Sequence, residues 1–562
     1  MHEALSPARV RLLFAGFFLL SVVLTGRLAY WQVVRRGDLV TQAKAQVVQD
    51  ESVVARRGAI FDRGGRLLAT TVRLQSVFAI PHDVTDPAAA AAALAPILGE
   101  PAVRIRAKLE SGVEWVFLRR RVPEDVSAGV RALALPGIGL EPEPKRMYPN
   151  DAIGAALLGF VNDDGAGQSG IEGGFDADLR GVAGRLVVER DPANRALAVG
   201  LRELTPPADG ADLVLTVDLV LQSVAERELA RVVKAEKATG GSVVILDPDT
   251  GAILTLASLP GFDPNNVARA DPEGFRDRAV SWTYEPGSTM KAITVSAALE
   301  EHAVDLATTY EDKGYATIGG RVLRNAQGRS YGRLDISGIL EKSANAGAVF
   351  VGQRLGAEKL YRYLRDFGFG QPTGVDLAAE VSGTVRALQD WYPVDLGTAS
   401  FGQGLSATPL QLAAAYAAIA NGGTLYRPYA VAEVRSADGS VRRAEPRAVR
   451  RVISPETAAL MRGMLTNVVD RGIAQGARVL GYSVAGKTGT AQIASADGSY
   501  LADEYISSFA GMLPARDPRF VCVVVLERPQ SRLLGTLSAM SAFTGMASDL
   551  MRYARVEPDR PR

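Results

Sequence analysis

Cysteine and histidine are almost missing from this chain, whose 562 residues include one Cys and three His. A single cysteine excludes any disulfide within the chain. Cys522 lies in the apolar run Phe520-Val-Cys-Val-Val-Val-Leu526 and reads as a small core residue. His2, His82 and His302 stand far apart, so no zinc-type ligand cluster is in sight and no metal or cofactor is expected. The same scarcity argues against a Ser-His-Asp triad, so a serine nucleophile here needs another base. Charge of one sign is lacking too: the net charge is +1, whereas nucleic-acid-binding proteins carry a marked basic excess. No nucleic-acid partner is expected. What remains is an ordinary globular composition, 47% hydrophobic and 22% charged, over a length that allows two or more domains.

Long uncharged runs are rare, and the one near the N-terminus stands out. Leu12 to Thr25 carries no charge, and the apolar pattern continues past Arg27 to Val34. A helix over Leu12–Val34 is roughly 34 Å long, enough to cross a bilayer. Arg27 can snorkel, and Tyr30 and Trp31 suit the aromatic belt. A cleaved signal peptide is the alternative, but no convincing small-residue cleavage site is present. The span therefore reads as a retained anchor. Arg9 and Arg11 before it and Arg27, Arg35 and Arg36 in or after it leave the orientation open.

Beyond the anchor, Ala59-Ile-Phe61 and Leu67-Leu68-Ala69 flank Asp62-Arg63-Gly64-Gly65, a hairpin signal. Asp86-Pro87 opens an alanine-rich helix running to Ala95. Thr205-Pro-Pro-Ala-Asp-Gly210 reads as a linker before a strand at Leu213–Val217. A helix is expected over Leu219–Lys237, then strands Ser242–Leu246 and Ala252–Ala257, with helical patterns in 288–302, 355–366 and 409–421. Strands Ser483–Ile493, Ser507–Leu513 and Phe520–Leu526 come late, followed by a last helix around 541–553. Strands at both ends with helices between predict an α+β domain whose sheet pairs early and late segments. The expected organisation is a tail and anchor (1–36), a non-catalytic mixed α/β pedestal (50–204), a linker (205–212), a catalytic domain (213–555) and a tail (556–562).

Three motifs carry chemistry: Ser288-Thr-Met-Lys291, Ser343-Ala-Asn345 and Lys487-Thr-Gly-Thr490. A Ser and a Lys three apart arise by chance about once in a chain this long, so the weight rests on all three in order. Glu285-Pro-Gly287 breaks the chain before Ser288, which places the serine at a helix N-terminus that favours developing negative charge. Lys291 lies one turn on, on a helix apolar nearly all round. Burial lowers a lysine's pKa, so Lys291 is the expected general base for the nucleophile Ser288. Ser343 is the expected proton relay, and Asn345 can orient Lys291 and bind a substrate amide. Period-two alternation puts Lys487 and Gly489 on one strand face, toward the nucleophile helix, and Thr488 and Thr490 on the other. Lys487 then adds positive potential near Ser343, and the threonine face can take a carboxylate. The strand edge can pair with an extended peptide. Backbone N–H groups of Ser288 and Thr490 are the expected oxyanion hole.

These motifs resemble those of the penicillin-binding protein and serine β-lactamase superfamily, and the likeness spans residues 12 to 550. Arg57-Gly58 through Asp62-Arg63-Gly64-Gly65 to Leu68-Ala69 resembles the opening of the non-catalytic domain in class B penicillin-binding proteins. Arg146-Met-Tyr148-Pro149, Gly170-Ile-Glu172, Asp247-Pro-Asp-Thr250-Gly251 and Phe401-Gly402-Gln403-Gly404-Leu405 are further landmarks, and Tyr284-Glu285-Pro286-Gly287 resembles the septal, FtsI-type form. The resemblance implies a β-lactamase-like transpeptidase domain, an antiparallel sheet with helices. It also implies a single-pass anchor in the cytoplasmic membrane with the body outside. The implied activity is cross-linking of D-Ala-D-Ala stem peptides, inhibited by penicillins, beside a SEDS-type glycosyltransferase and other divisome proteins. Ala344 stands where some relatives have Asp; it lies between the two functional side chains. Elongation-type or specialised class B roles, a β-lactamase, a carboxypeptidase and a silent scaffold or β-lactam sensor are the competing readings. The anchor and extra domain count against the two hydrolases.

Overall fold

In the computed structural model, residues 7–40, 48–189, 202–494, 500–530 and 535–561 are described. They form two compact units: the segments up to Arg56 with Gly181–Gly210, and Arg57–Arg180 with everything from Ala211 onward.

In the first unit, helix Pro7–Ala29 continues as a π-turn over Tyr30–Val34. Its 28 residues make it long and apolar enough to cross a membrane, and none is buried by protein. Arg35 lies over the Trp31 ring at 5.7 Å and pairs with Asp38 at 3.1 Å. The unit also holds a three-stranded antiparallel sheet in which Gly184–Glu189 runs between Val48–Val53 and Arg202–Thr205. Within the stretch read as a linker, Thr205 closes a strand and Ala208 exchanges two backbone hydrogen bonds with Val182.

The second unit contains two sheets that position the motifs. The first is antiparallel, with strands in the order Ile253–Leu259, Gly240–Leu246, Phe520–Glu527, Tyr500–Leu513 and Ala485–Ala494. Early and late segments are indeed neighbours: Val521 is opposite Leu246. All seven residues of Gly240–Leu246 are buried, so protein covers both faces of the sheet. Cys522 sits in its core, its sulfur 3.8 Å from that of Met546 on helix Gly535–Tyr553. Helix Pro409–Ala420 is buried along its whole length. Its start is fixed by a capping box in which Thr408 Oγ1 accepts from Gln411 N at 3.1 Å while Thr408 N donates to Gln411 Oε1 at 2.8 Å.

The second sheet has seven strands and links the pedestal segments to the catalytic ones. Asp212–Leu215 lies between Val431–Arg435 and Ile60–Phe61, the latter pairing parallel. Ile60–Phe61 turns back into the long strand Leu67–Ala79, which pairs with Val116–Val122 and Ile138–Met147. That turn is the expected hairpin: Asp62 Oδ1 accepts from the N–H groups of Gly64 and Arg66 at 2.8 and 2.7 Å, and Gly65 takes φ +81°. The alanine helix begins as expected, with Asp86 accepting from Ala88 N and Ala89 N, but it runs on to Leu98.

Three sequence landmarks converge in the pedestal. Glu172 is fully buried and accepts from Arg57 Nε at 2.8 Å, Arg146 Nε at 2.7 Å and Tyr148 Oη at 3.2 Å. Arg57 also reaches Asp176 at 2.7 Å, and Arg146 donates to Gly58 O at 2.7 Å. Removing the central carboxylate leaves the buried Arg146 without its counter-ion and Arg57 with Asp176 alone, a change that typically costs about 3–5 kcal/mol. Glu172→Ala is expected to lower unfolding free energy by that amount in urea titrations of the detergent-solubilised chain. A loss below about 1 kcal/mol would mean that the arginines find other partners.

Candidate active site

The chain approaches Ser288 through a tightly constrained turn. Tyr284 exchanges backbone hydrogen bonds with Ala407, and Gly287 N donates to Gly402 O at 3.0 Å. Gly287 has φ +56°, and a Cβ there would stand 2.7 Å from Thr490 O, so only glycine brings these segments so close. Ser288 begins in a 3-10 turn, Gly287–Met290, and the α-helix proper runs Lys291–Glu300. The sequence pattern placed the helix start three residues earlier; the tighter turn follows from the contacts that pin it. Thr289 Oγ1 donates to Pro286 O at 2.7 Å, and Tyr416 Oη donates to Thr289 O at 2.8 Å. Tyr416 is fully buried on helix Pro409–Ala420. Its site role was missed in the sequence, where the only signal was one aromatic hydroxyl in an alanine–leucine run.

Ser288 is partly exposed, whereas Lys291 is completely buried. The Lys291 amine donates to Ser343 O at 2.5 Å, Ser343 Oγ at 3.1 Å and Asn345 Oδ1 at 2.8 Å. Burial, and then the positive charge of Lys487, hold its pKa well below that of an ordinary lysine. Lys487 is also fully buried, and its amine reaches Ser343 Oγ at 3.0 Å and Thr488 O at 3.1 Å. Burial pushes Lys487 down to about 7. The Ser343 hydroxyl is thus the common partner of both amines.

Ser343 reaches them because helix Ile336–Lys342 ends on it in the left-handed region, φ +55°. The conformation is unusual for serine, and it aims both the carbonyl and the hydroxyl at Lys291. Helix Asn345–Leu355 starts two residues later. A Cβ at Gly347 would stand 2.7 Å from Ile339 Cγ1, so glycine lets this helix lie against the preceding one.

On strand Ala485–Ala494, the inward face is the expected one. Gly489 packs on the serine turn, where a Cβ would collide with Ser508 Oγ and stand 2.9 Å from Pro286 O. The threonine face is divided: Thr490 is exposed and Thr488 is buried, so only Thr490 offers its side chain to solvent. This strand is the last in its sheet. Glu285 closes the rim, accepting from Gly404 N at 2.9 Å and Tyr500 Oη at 3.0 Å. Burial raises its pKa above the ordinary carboxylate value.

The geometry thus brings Ser288, Lys291, Ser343, Asn345, Lys487 and Gly489 together at one site, with Thr490 exposed beside it. Gly489→Ala is expected to push the strand off the serine turn and lower stability by about 1–3 kcal/mol. Thermal melting checks this; an unchanged melting temperature would show that the strand relaxes freely.

Comparison with known proteins identifies the family. Residues 241–547 match the penicillin-binding protein transpeptidase domain, and residues 52–215 match the penicillin-binding protein dimerisation domain. Stage V sporulation protein D of Bacillus subtilis is 37% identical over 542 residues, covering 94% of this chain and 84% of the relative. The peptidoglycan D,D-transpeptidase FtsI of Escherichia coli is 33% identical over 556 residues, covering 97% and 92%. The crystal structure of penicillin-binding protein 3 from Mycobacterium tuberculosis with aztreonam superposes with a TM-score of 0.72 at 28% identity, covering 91% of this chain and 99% of that one. Matched in both domains and aligned with its relatives along nearly its whole length, the chain belongs to the class B penicillin-binding proteins, of the FtsI type.

Proposed function

We propose that this protein is a serine D,D-transpeptidase that cross-links peptidoglycan stem peptides, with Ser288 as nucleophile and Lys291 as base. The observation that carries the reading is the buried Lys291 amine, one helical turn from Ser288 and bound to Ser343 and Asn345. Its lowered pKa favours the neutral amine, which can accept the Ser288 proton.

The reaction then runs in two halves. Ser288 Oγ gives its proton to Lys291 Nζ and bonds to the carbonyl carbon of the penultimate D-alanine. The oxyanion is received by the N–H groups of Ser288 and Thr490, each such donor being worth roughly 100- to 1,000-fold in rate. Ser343 Oγ, which touches both lysine amines, passes a proton to the departing nitrogen and takes in exchange the one Lys291 gained, so Lys291 is neutral again. The C–N bond breaks, D-alanine leaves, and the stem peptide remains as an ester on Ser288. An amine from a neighbouring stem peptide attacks that ester and loses a proton to Lys291, and Ser288 departs with its own proton restored. Asn345 orients Lys291 and binds a substrate amide. Lys487 and Thr490 receive the terminal carboxylate, and the strand Lys487-Thr488-Gly489-Thr490 offers its edge to the extended peptide. Thr488 acts through its backbone, its side chain being buried.

The substrate lies outside the cytoplasmic membrane, so the helix Pro7–Val34 anchors a body on the periplasmic side. A SEDS-type glycosyltransferase and other divisome proteins are its partners in this reading, and penicillins its inhibitors. The FtsI relative supports work at the division septum. The sporulation relative, at 37% identity, supports a specialised class B role as the second reading.

Lys291→Ala is expected to reduce transfer from a D-Ala-D-Ala peptide to an amine acceptor by about 100- to 10,000-fold at an unchanged melting temperature. Product mass spectrometry checks this, and normal cross-linking by the variant would remove Lys291 from the role. For the septal role, a fluorescent fusion is expected at midcell in dividing cells, with filaments on depletion. Signal only in sporulating cells would favour the specialised reading.

A further inference from the structure

Behind the cleft lies a buried carboxylate that the mechanism does not use. Asp312 ends strand Thr309–Asp312, which pairs with Gly332–Asp335, and its side chain is buried. Its two oxygens accept from Asn325 Nδ2, both at 2.9 Å, and Oδ1 also accepts from Gly314 N at 2.6 Å. No ion pair to Asp312 is found among the described residues, so neutral donors alone hold this carboxylate in the interior. A buried charge without a counter-ion is costly, and its field is poorly screened.

The hydrogen bonds lead from Asp312 to the catalytic turn. Asn325 is buried, and its Oδ1 accepts from Ala346 N at 2.8 Å, in the first turn of helix Asn345–Leu355. Next to it, Arg324 O accepts from Asn345 Nδ2 at 3.0 Å. These parallel tethers leave Asn345 Oδ1 facing Lys291 Nζ at 2.8 Å. An asparagine at 312 keeps only one of the two acceptor oxygens, so it weakens the clamp as well as removing the charge, and the pH midpoint is what separates the two effects.

We propose that Asp312 is a positioning residue for acylation: it locks Asn325 under the Asn345 turn that faces Lys291 and sets its carboxylate behind that turn as a second charge acting on the Lys291 amine. The proposal rests on the reading of Lys291 as base. Two charged groups bear on Lys291: Lys487 from the strand favours its neutral form, and Asp312 from the hairpin favours its protonated form. The adjoining turn and helix start bring the neutral Ser343 and Asn345. Asp312 thus limits a depression that burial and Lys487 would otherwise drive further.

Acylation needs neutral Lys291, so its rate falls as pH drops through the lysine's pKa. Removing the negative charge lowers that pKa and moves the acid limb to lower pH. The test measures the second-order rate of acylation by benzylpenicillin from pH 5 to 10 on the full-length, detergent-solubilised protein, alongside its melting temperature. Asp312→Asn is expected to move the midpoint of the acid limb down by about half a unit or more, and Asp312→Glu to return it toward the parent. A purely structural role would change amplitude and melting temperature but leave the midpoint in place, and that result would overturn the proposal. Should Asp312→Asn fail to fold, Asp312→Ser, which keeps a hydroxyl acceptor without the charge, takes its place with the same expected downward shift of about half a unit or more, and an unmoved midpoint overturns the proposal. A parent profile with no acid limb would instead contradict the base assignment, and the Asp312 proposal with it.

Discussion

The Lys291 amine lies in the protein interior, and most of the catalytic cleft can be understood as an answer to the cost of holding it there. Taking an ammonium out of water costs several kcal/mol even after relaxation, unless acceptors surround it or it gives up its proton. Both answers are present. Three oxygens from Ser343 and Asn345 lie within hydrogen-bond distance, and the pKa is pushed down. Each answer imposes geometry on its surroundings. Ser343 must adopt a left-handed conformation to turn its carbonyl inward, and Gly347 must lack a side chain so that the next helix starts close by. The strand bearing Lys487 must approach the serine turn closely enough that Gly489 has no room for a Cβ.

The same sheet logic connects the cleft to the rest of the second unit. Asp212–Leu215 pairs with a catalytic-domain strand on one side and with Ile60–Phe61 on the other, so backbone hydrogen bonds run without a break from the pedestal into the catalytic segment. Beside that junction, the Arg57–Glu172–Arg146 cluster holds together the segment before Ile60–Phe61, the end of strand Ile138–Met147 and two short helices. A buried ion cluster of this kind is a weak source of net stability, although breaking it is costly.

Much of this was legible in the sequence where local chemistry decides. The Asp62–Gly65 hairpin, the Asp86 cap and the α+β order of strands follow from turn residues, caps and hydrophobic period, and the structure agrees with all three. So does the inward face of Lys487 and Gly489, because strand alternation is a property of the backbone. What the sequence hid depends on partners distant in the chain. The 3-10 start at Ser288 reflects Tyr416, 128 positions away in number and invisible to any local pattern. Period-two reasoning made Thr488 and Thr490 equivalent, but packing buries the first and exposes the second. Asp312 and Asn325 look like ordinary turn residues until the fold sets them behind Asn345.

The central claim is that Ser288 is the nucleophile of an acyl-transfer site driven by a buried lysine. Intact-mass analysis of the detergent-solubilised protein after incubation with a penicillin tests it most directly. The expected result is a mass increase equal to one drug molecule, stable for hours, mapped to the peptide containing Ser288 and absent in Ser288→Ala. An adduct that persists in Ser288→Ala, or no adduct on the folded parent, would contradict it.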